Sequence, residues 1–300
     1  MGRLICRFIY IGRLLMLNIN TNYAASFASN AAKSSSQGLN SAMEKLSTGM
    51  RINYAKDDAA GQAISTRLSA EVQGLQVASR NAADAQSMID TAEGALQETH
   101  NVLLRMRELA VQSANGTLTD GDRAHTDAEF DQLVAEVTRI ANNTTWAGKQ
   151  LLNGDNATTA LSFQIGEGAG QTIDVNIADM KATALGVSGS GATATAALSA
   201  SGLDDVTNAQ AAIGSIDAAI DSVSTARGGM GAVSNRLSST MSNLDQIAVN
   251  LSASQGRIQD ADFAQETGNL AKNQILQQAA TAMIAQANAS KSSVLTLVRG

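Results

Sequence analysis

Two long stretches of the chain carry apolar residues at a spacing of seven. The first covers about residues 57–114 and the second about residues 203–254. An apolar stripe of this period is buried best against another helix with a similar stripe, so we predict that the two stretches form a long antiparallel helix pair. The rows that we expect to pack the subunit are Leu68, Leu75, Ile89, Leu96, Leu103 and Met106, together with Ile216, Val223, Met230, Leu237, Leu244 and Leu251.

The two ends of the chain carry thinner apolar stripes. Residues 16–56 and 255–300 are rich in Ala, Ser, Asn and Gln. Ser and Asn compete for the backbone in other conformations, so such helices have a weak intrinsic drive to form. We predict terminal helices that gain order only on association. The residues expected to carry that association are Tyr23, Phe27, Leu39, Leu46, Leu270, Leu276, Met283 and Leu297.

The middle of the chain changes period. A shorter amphipathic helix is predicted over 120–142, and apolar residues then alternate with polar ones on either side of the Gly-rich segment 166–170. This alternation predicts a β-hairpin. A phosphate-binding loop would need a following helix and a Gly-Lys-Ser/Thr triplet, and the sequence has neither. Residues 181–202, mostly Ala, Gly, Ser and Thr, predict an exposed low-complexity loop.

The pattern as a whole predicts a mainly α fold. We expect a long antiparallel coiled-coil or helical-bundle rod, formed by the N- and C-terminal halves, with a small central β-hairpin region. Segment 57–180 with 203–254 would form the rod, and segment 16–56 with 255–300 the terminal helices.

Composition supports a slender helical protein. The 300 residues include no proline, and aromatic residues make up only 3%. Charged residues make up 16% and the formal net charge is −6, which argues against a nucleic-acid role because that role needs a basic face. Cys6 is the single cysteine, so no internal disulfide can form.

Residues 1–15 differ in character from the rest of the chain. They are apolar and carry three arginines without an acid, which allows a secretion signal or a membrane anchor. The arginines interrupt the apolar run, and no small-residue cleavage site comes after it. We interpret the segment as an N-terminal extension from a start codon placed too early, because Met16 opens a stretch of different composition.

The residues needed for enzymatic chemistry are not grouped in this sequence. Neither His100 nor His125 belongs to a His-Glu-x-x-His motif. The acidic pairs Asp57-Asp58, Asp204-Asp205 and Asp260-x-Asp262 stand where helices begin, which favours capping over metal binding. We therefore predict no catalytic, cofactor-binding or metal-binding residues, and no enzyme.

Seven segments together carry a specific family resemblance. They occur in two groups, four in the first half of the chain and three in the second. The first group resembles the N-terminal signature of bacterial flagellin and the second its C-terminal signature. The segments are LSTGMRIN (46–53), DDAAGQAISTRL (57–68), RNAADAQSMIDTAEGAL (80–96), RMRELAVQSANGT (105–117), RGGMGAVSNRL (227–237), RIQDADFAQET (257–267) and AKNQILQQAATAMIAQAN (271–288).

The resemblance implies an extracellular structural subunit that polymerises into the flagellar filament for swimming motility. It implies that the terminal helices form an inner tube, that the rod with its hairpin forms an outer tube, and that the loop at 181–202 replaces the large outer domains of longer members. Implied partners are other copies of the chain, an export chaperone, the filament cap and the hook-junction proteins, with no nucleic acid, no membrane anchor and no cofactor. It further implies export in an unfolded state through the flagellar channel, and recognition by an animal Toll-like receptor at Arg105, Leu109 and Glu129, where Leu104 replaces the glutamine of many members.

Two other functions fit parts of the pattern. A hook–filament junction protein would share the architecture but assemble in few copies. A chemoreceptor-like signalling coiled coil would share the heptads, but it would need a transmembrane span and a tight helical hairpin at mid-chain. The strand-like alternation at 161–177 argues against the chemoreceptor-like coiled coil. The copy number in sheared filaments would separate a junction protein from a filament subunit.

Overall fold

A computed structural model describes residues 21–187 and 202–299, without the side chains of residues 158 and 294–299. The predicted extension 1–15 and most of the predicted loop 181–202 lie outside these residues. In the described part, long helices flank a small β region. The elements are α1 (Tyr23–Thr48), α2 (Ala59–Ser113), α3 (Asp120–Asn143), β1 (Thr145–Trp146), β2 (Lys149–Gln150), α4 (Asp155–Thr158), β3 (Leu161–Gln164), β4 (Thr172–Val175), α5 (Val206–Gln259) and α6 (Phe263–Arg299).

Local capping explains where several helices begin and end. Asp58 and Asp262 accept backbone N–H groups at the starts of α2 and α6, as predicted for acids at these positions. Asp57 instead accepts the N–H groups of Asn53 and Tyr54 in the loop before α2. At the other end of α1, Gly49 adopts a left-handed conformation (φ 72°) and its N–H returns to a carbonyl of the last turn.

The described chain divides into two compact units. The residues up to Arg67 and from Ala253 onward form unit 1, and residues 68–252 form unit 2. Unit 1 contains α1 and α6. These helices are antiparallel, because Asn22 at the start of α1 donates to the carbonyl of Ala287 (3.3 Å), whereas Lys45 near its end pairs with Glu266 (3.4 Å).

Unit 2 contains the antiparallel pairing of α2 with α5. Ser79 bonds to Asp245, whereas Arg107, further along α2, bonds to Asp217. Helix α3 folds back along α2, as the ion pair of Arg105 with Glu129 shows. The predicted mainly α fold, with its long helices and a small β region, is confirmed.

The β region consists of two separate hairpins in the described residues. The predicted hairpin is present as β3 and β4, with Leu161 opposite Val175 and Gln164 opposite Thr172. The first hairpin, β1–β2, was not predicted. Its two-residue turn places Ala147 (φ 48°) and Gly148 (φ 81°) at positive φ, and alanine is an unusual residue for the first of these positions.

The start of the predicted exposed loop is buried. Ala182, Leu185 and Val187 belong to the hydrophobic core of unit 2, with 0%, 8% and 2% of their surfaces exposed. Burying three apolar side chains within six residues gives a more favourable free energy than leaving them in solvent. The prediction of an exposed loop is therefore wrong for this stretch.

Helix α5 runs without a break through its glycine-rich middle. Gly228, Gly229 and Gly231 are all helical, although each lowers helix propensity. A Cβ placed on any of the three would meet no atom within 4 Å. Tight packing within this chain therefore does not explain the glycines.

Candidate assembly surface

Helices α1 and α6 of unit 1 bury small side chains between them and leave several large apolar ones exposed. The residues buried on α1 are Ala28, Ser35 and Ala42, and Ala280 is buried on α6. In contrast, Phe27 is 80% exposed and Tyr23 is 70% exposed. Exposed apolar groups of this size gather where another molecule binds.

Most of the predicted terminal residues lie on or near this surface. Tyr23, Phe27, Leu276 and Met283 are exposed. Leu39, Leu46 and Leu270 are half-buried. Leu297 lies in α6, but its side chain is outside the described set. The predicted residues whose side chains are described are therefore all at least partly open to solvent.

The structure adds exposed apolar residues that the sequence pattern did not predict. Met43, Tyr54, Phe263 and Ile275 are all between 47% and 66% exposed, and all belong to unit 1. Phe263 and Ile275 lie inside the C-terminal signature segments. Only that position in the sequence could have marked them as candidate assembly residues. Their helical spacing does not match the stripe facing the partner helix, so periodicity alone could not assign them.

The heptad rows face the interior of unit 2. Of the twelve predicted row residues, eleven are buried, and Leu251 is half-buried. Leu103 and Met106 on α2, with Ile216 and Val223 on α5, have no exposed surface. The rows therefore pack α2 against α5 within one chain.

Polar groups along one flank connect α2 with α5. Ser79, Gln86, Glu93 and Arg107 all lie on one seven-residue row of α2 and reach side chains of α5. His100 completes the row, and its Nδ1 is buried without a hydrogen-bond partner. The hydrogen bond and negative charge of Asp217 raise the pKa of Arg107.

The predicted receptor residues lie where α2 meets α3. The Arg105 guanidinium donates to Glu129 (2.8 Å) and to Glu108 (3.0 Å), and the bonds to these two carboxylates raise its pKa. Both Arg105 and Glu129 are about half exposed. Leu109 is only 2% exposed, because it packs into the core of unit 2.

The two histidines lie on different helices and do not form one site. His100 lies on α2 and is half-buried, whereas His125 lies on α3 and is exposed. No group of three or more His, Cys, Asp or Glu side chains within residues 21–187 and 202–299 could hold a metal ion. Over the same residues, no helix combines the length and the apolar character needed to cross a bilayer.

Long helices that pair through hydrophobic clusters in one unit, together with unburied large apolar side chains in the other unit, define a class of protein. It is a structural subunit whose fold presents a surface for association. Comparison with known proteins gives the family.

A family profile described as the bacterial flagellin N-terminal helical region matches residues 19–157, and the corresponding C-terminal helical region matches residues 213–298. The chain is 45% identical to a flagellin of Halalkalibacterium halodurans, over 86% of this chain and 91% of that protein. It is 43% identical to a flagellin of Bacillus subtilis, over 94% of this chain and all of that protein.

A solved structure from Vibrio parahaemolyticus, described as a flagellar hook-associated protein, covers 68% of this chain with a TM-score of 0.56. At 17% identity, it shows a shared fold only. The chain belongs to the bacterial flagellin family. It is a structural subunit that polymerises with its own copies into the extracellular flagellar filament, which serves motility.

Proposed function

We propose that the two units have different roles in filament assembly. The terminal segments 16–56 and 255–300 form an inner tube by packing against the same segments of neighbouring copies. Segments 57–180 and 203–254 form an outer tube around it.

The exposure of large apolar side chains in unit 1 is the observation that supports this division. In unit 2 all but one of the predicted heptad residues are buried within the chain, so they leave little apolar surface for other copies. In unit 1 the helix pair buries mainly Ala and Ser, and several of its aromatic and large aliphatic side chains are exposed. A surface that a single chain leaves unburied is available for other copies.

The expected free energy is large enough to hold a polymer. Burying one large apolar side chain contributes about 1.5–3 kcal/mol. Several such residues per subunit, such as Phe27 and Met283, therefore stabilise each contact without a single strong bond. Part of this gain offsets the entropy lost when subunits associate.

Seeded polymerisation of single variants tests the proposal. Phe27→Ser removes the most exposed aromatic group among the described residues of unit 1 and costs little internal packing, because 80% of Phe27 is exposed. We expect the critical concentration for elongation to rise by about tenfold or more, because 1.4 kcal/mol corresponds to a factor of ten. Sedimentation of filaments grown from preformed seeds measures it.

Phe27→Leu is the matched control, because it keeps an apolar side chain at the same position. It should elongate close to the wild-type critical concentration. Circular dichroism should show the same helix content for both variants. An unchanged critical concentration in a folded Phe27→Ser protein would contradict the proposed inner contact.

The absence of proline supports export of the chain in an unfolded state. Slow isomerisation of X-Pro bonds cannot delay threading or refolding of a chain that has none. We propose that the subunit passes through the flagellar channel and folds beneath a cap protein, after release from an export chaperone. Hook-junction proteins would then seat the first subunits.

Recognition by an animal Toll-like receptor is a further proposal. Arg105 and Glu129 offer a half-exposed charged pair at the α2–α3 junction. Leu109, the third predicted residue, would support that surface from the core, because 2% of it is exposed. Binding of the wild type and of Arg105→Ala to a receptor ectodomain would test this contact.

We propose no enzymatic activity for the chain. A hydrolytic activity lost on substitution of His100 or His125 would contradict this. The alternatives of a junction protein and a chemoreceptor-like protein gain no support from the comparisons. Two β-hairpins, rather than a helical hairpin, occupy the middle of the described chain.

A further inference from the structure

The methionines of the described chain fall into two groups by exposure. Met88, Met106, Met180 and Met230 are nearly or fully buried in unit 2. Met50 and Met241 are half-buried. Met43 on α1 and Met283 on α6 are 47% and 62% exposed, and both belong to unit 1.

We infer that Met43 and Met283 are oxidation sites that control whether a free subunit can join the filament. The inference rests on the proposed function, in which the surface of unit 1 becomes buried between copies. In the free subunit about half or more of each side chain is open to solvent and to small oxidants. In the polymer they would be covered.

The chemistry requires an oxidant of the peroxide class, for which hydrogen peroxide is the simplest example. The thioether sulfur attacks one peroxide oxygen, the O–O bond breaks, an S–O bond forms and water leaves. Sulfur loses two electrons and the peroxide gains them. The product, methionine sulfoxide, is polar where the thioether was apolar.

The effect on assembly follows from burial. A sulfoxide oxygen accepts hydrogen bonds from water, and covering it with an apolar partner surface removes those bonds without replacement. The side chain that favoured association then opposes it. Because Met43 and Met283 lie on different helices of one unit, oxidation at either position modifies the surface proposed to face other copies.

Seeded elongation of the full chain after peroxide treatment tests the inference. Peptide mass spectrometry first locates the sulfoxides, which should form fastest at Met43 and Met283 among the described methionines. We expect the elongation rate of the oxidised wild type to fall by about tenfold or more. Reduction with a methionine sulfoxide reductase and a thiol should restore it.

Two double variants separate these positions from the rest of the chain. Met43→Leu with Met283→Leu keeps the apolar volume without an oxidisable sulfur, so its elongation should survive the same treatment. Met88→Leu with Met230→Leu removes buried sulfurs instead and should remain sensitive. Equal inhibition of the first double variant and the wild type would overturn the inference.

A protection measurement gives a second readout that needs no substitution. Peroxide applied to assembled wild-type filaments should oxidise Met43 and Met283 much more slowly than in free subunits. Equal oxidation rates in the two states would overturn the inference. So would normal elongation of subunits that carry sulfoxide at both positions.

Failure of the oxidation inference can be distinguished from failure of the proposed function. If Phe27→Ser raises the critical concentration while oxidised subunits elongate normally, the inner contact stands and only the oxidation site is lost. If Phe27→Ser has no effect, the proposed contact itself fails.

Discussion

Arg107 on α2 and Asp217 on α5 form an ion pair although 110 positions separate them in the sequence, with 2.6 Å between Nε and Oδ1. The pair closes one end of a polar row, and three other members of that row bond across the same two helices. Much of the core between these helices is alanine, such as Ala82, Ala85 and Ala219. A core of small, similar side chains packs almost equally well when one helix is shifted along the other. We therefore infer that the polar row helps to fix the register of the helix pair.

Arg107→Ala and Asp217→Ala should each lower the melting temperature by a small amount, about 1–3 °C, because the pair is half exposed. The melting temperature of the double variant should be only slightly lower than that of either single variant. A double-mutant cycle followed by circular dichroism measures the coupling. High salt should weaken it, and strictly additive losses would show that the two side chains act independently.

Arg123→Lys should destabilise the α2–α3 junction by about 1–3 kcal/mol. The Arg123 side chain is 7% exposed and donates to the carbonyls of Ser113 and Asn115 and to Asp120. A lysine ammonium lacks the planar fork that reaches all three acceptors. Urea unfolding measures the loss. Asp120→Ala is the control and should cost much less, because Asp120 is 97% exposed.

Gly229→Ala should stabilise α5 by about 0.5–1 kcal/mol, because the added methyl meets no neighbour and alanine favours the helix. Gly49→Ala is the opposite control, since its φ of 72° strains any residue with a Cβ. Urea unfolding should give opposite signs for the two variants. A stabilised Gly229→Ala chain that elongates poorly on seeds would indicate that a neighbouring copy fills the space.

Asp131→Asn should raise stability at pH 7 and leave it unchanged well below pH 4. Partial desolvation of this exposed side chain, with the nearby charges of Asp127 and Asp204, raises the pKa of Asp131 above its ordinary value of 3.8. A raised folded-state pKa means that the charged form is penalised, so the cost appears as pH rises through that range. Melting temperatures at the two pH values measure it.

Asp122→Asn should change stability at pH 7 in the opposite direction from Asp131→Asn. The hydroxyl of Thr119, and then its backbone N–H, lower the pKa of Asp122 below 3.8. That stabilisation is present above pH 3.8 and is lost as pH falls through the lower folded-state value. The substitution should therefore lower the melting temperature at pH 7 and have little effect near pH 2. Shifts of the same sign in both variants would contradict these assignments.

Leu103→Ala should cost about 2–5 kcal/mol, because Leu103 has no exposed surface in the core of unit 2. Leu104→Ala, one residue further along α2, should change the free energy of unfolding by no more than about 0.5 kcal/mol, since Leu104 is 44% exposed. Chemical denaturation compares them directly. Similar losses at the two positions would contradict the observed orientation of α2.

Much of unit 2 could be predicted from periodicity. The seven-residue rows identified α2 and α5 and the side chains that they bury, and alternation identified β3 and β4. The β1–β2 hairpin was missed because Ala147 occupies a turn position that usually takes Asn, Asp or Gly. Ala182, Leu185 and Val187 were assigned to a loop, because their spacing matches neither a helix nor a strand and a low-complexity stretch follows them.

The sequence by itself determined the helices, the family and the buried rows, because these depend on spacing along a single helix. Only the tertiary structure decided which polar groups meet across α2 and α5, since Arg107 and Asp217 become neighbours only once the helices pair in one register. It also decided which large side chains of unit 1 stay exposed. Exposure depends on what packs against each face, and the partner helices here offer mostly alanine and serine.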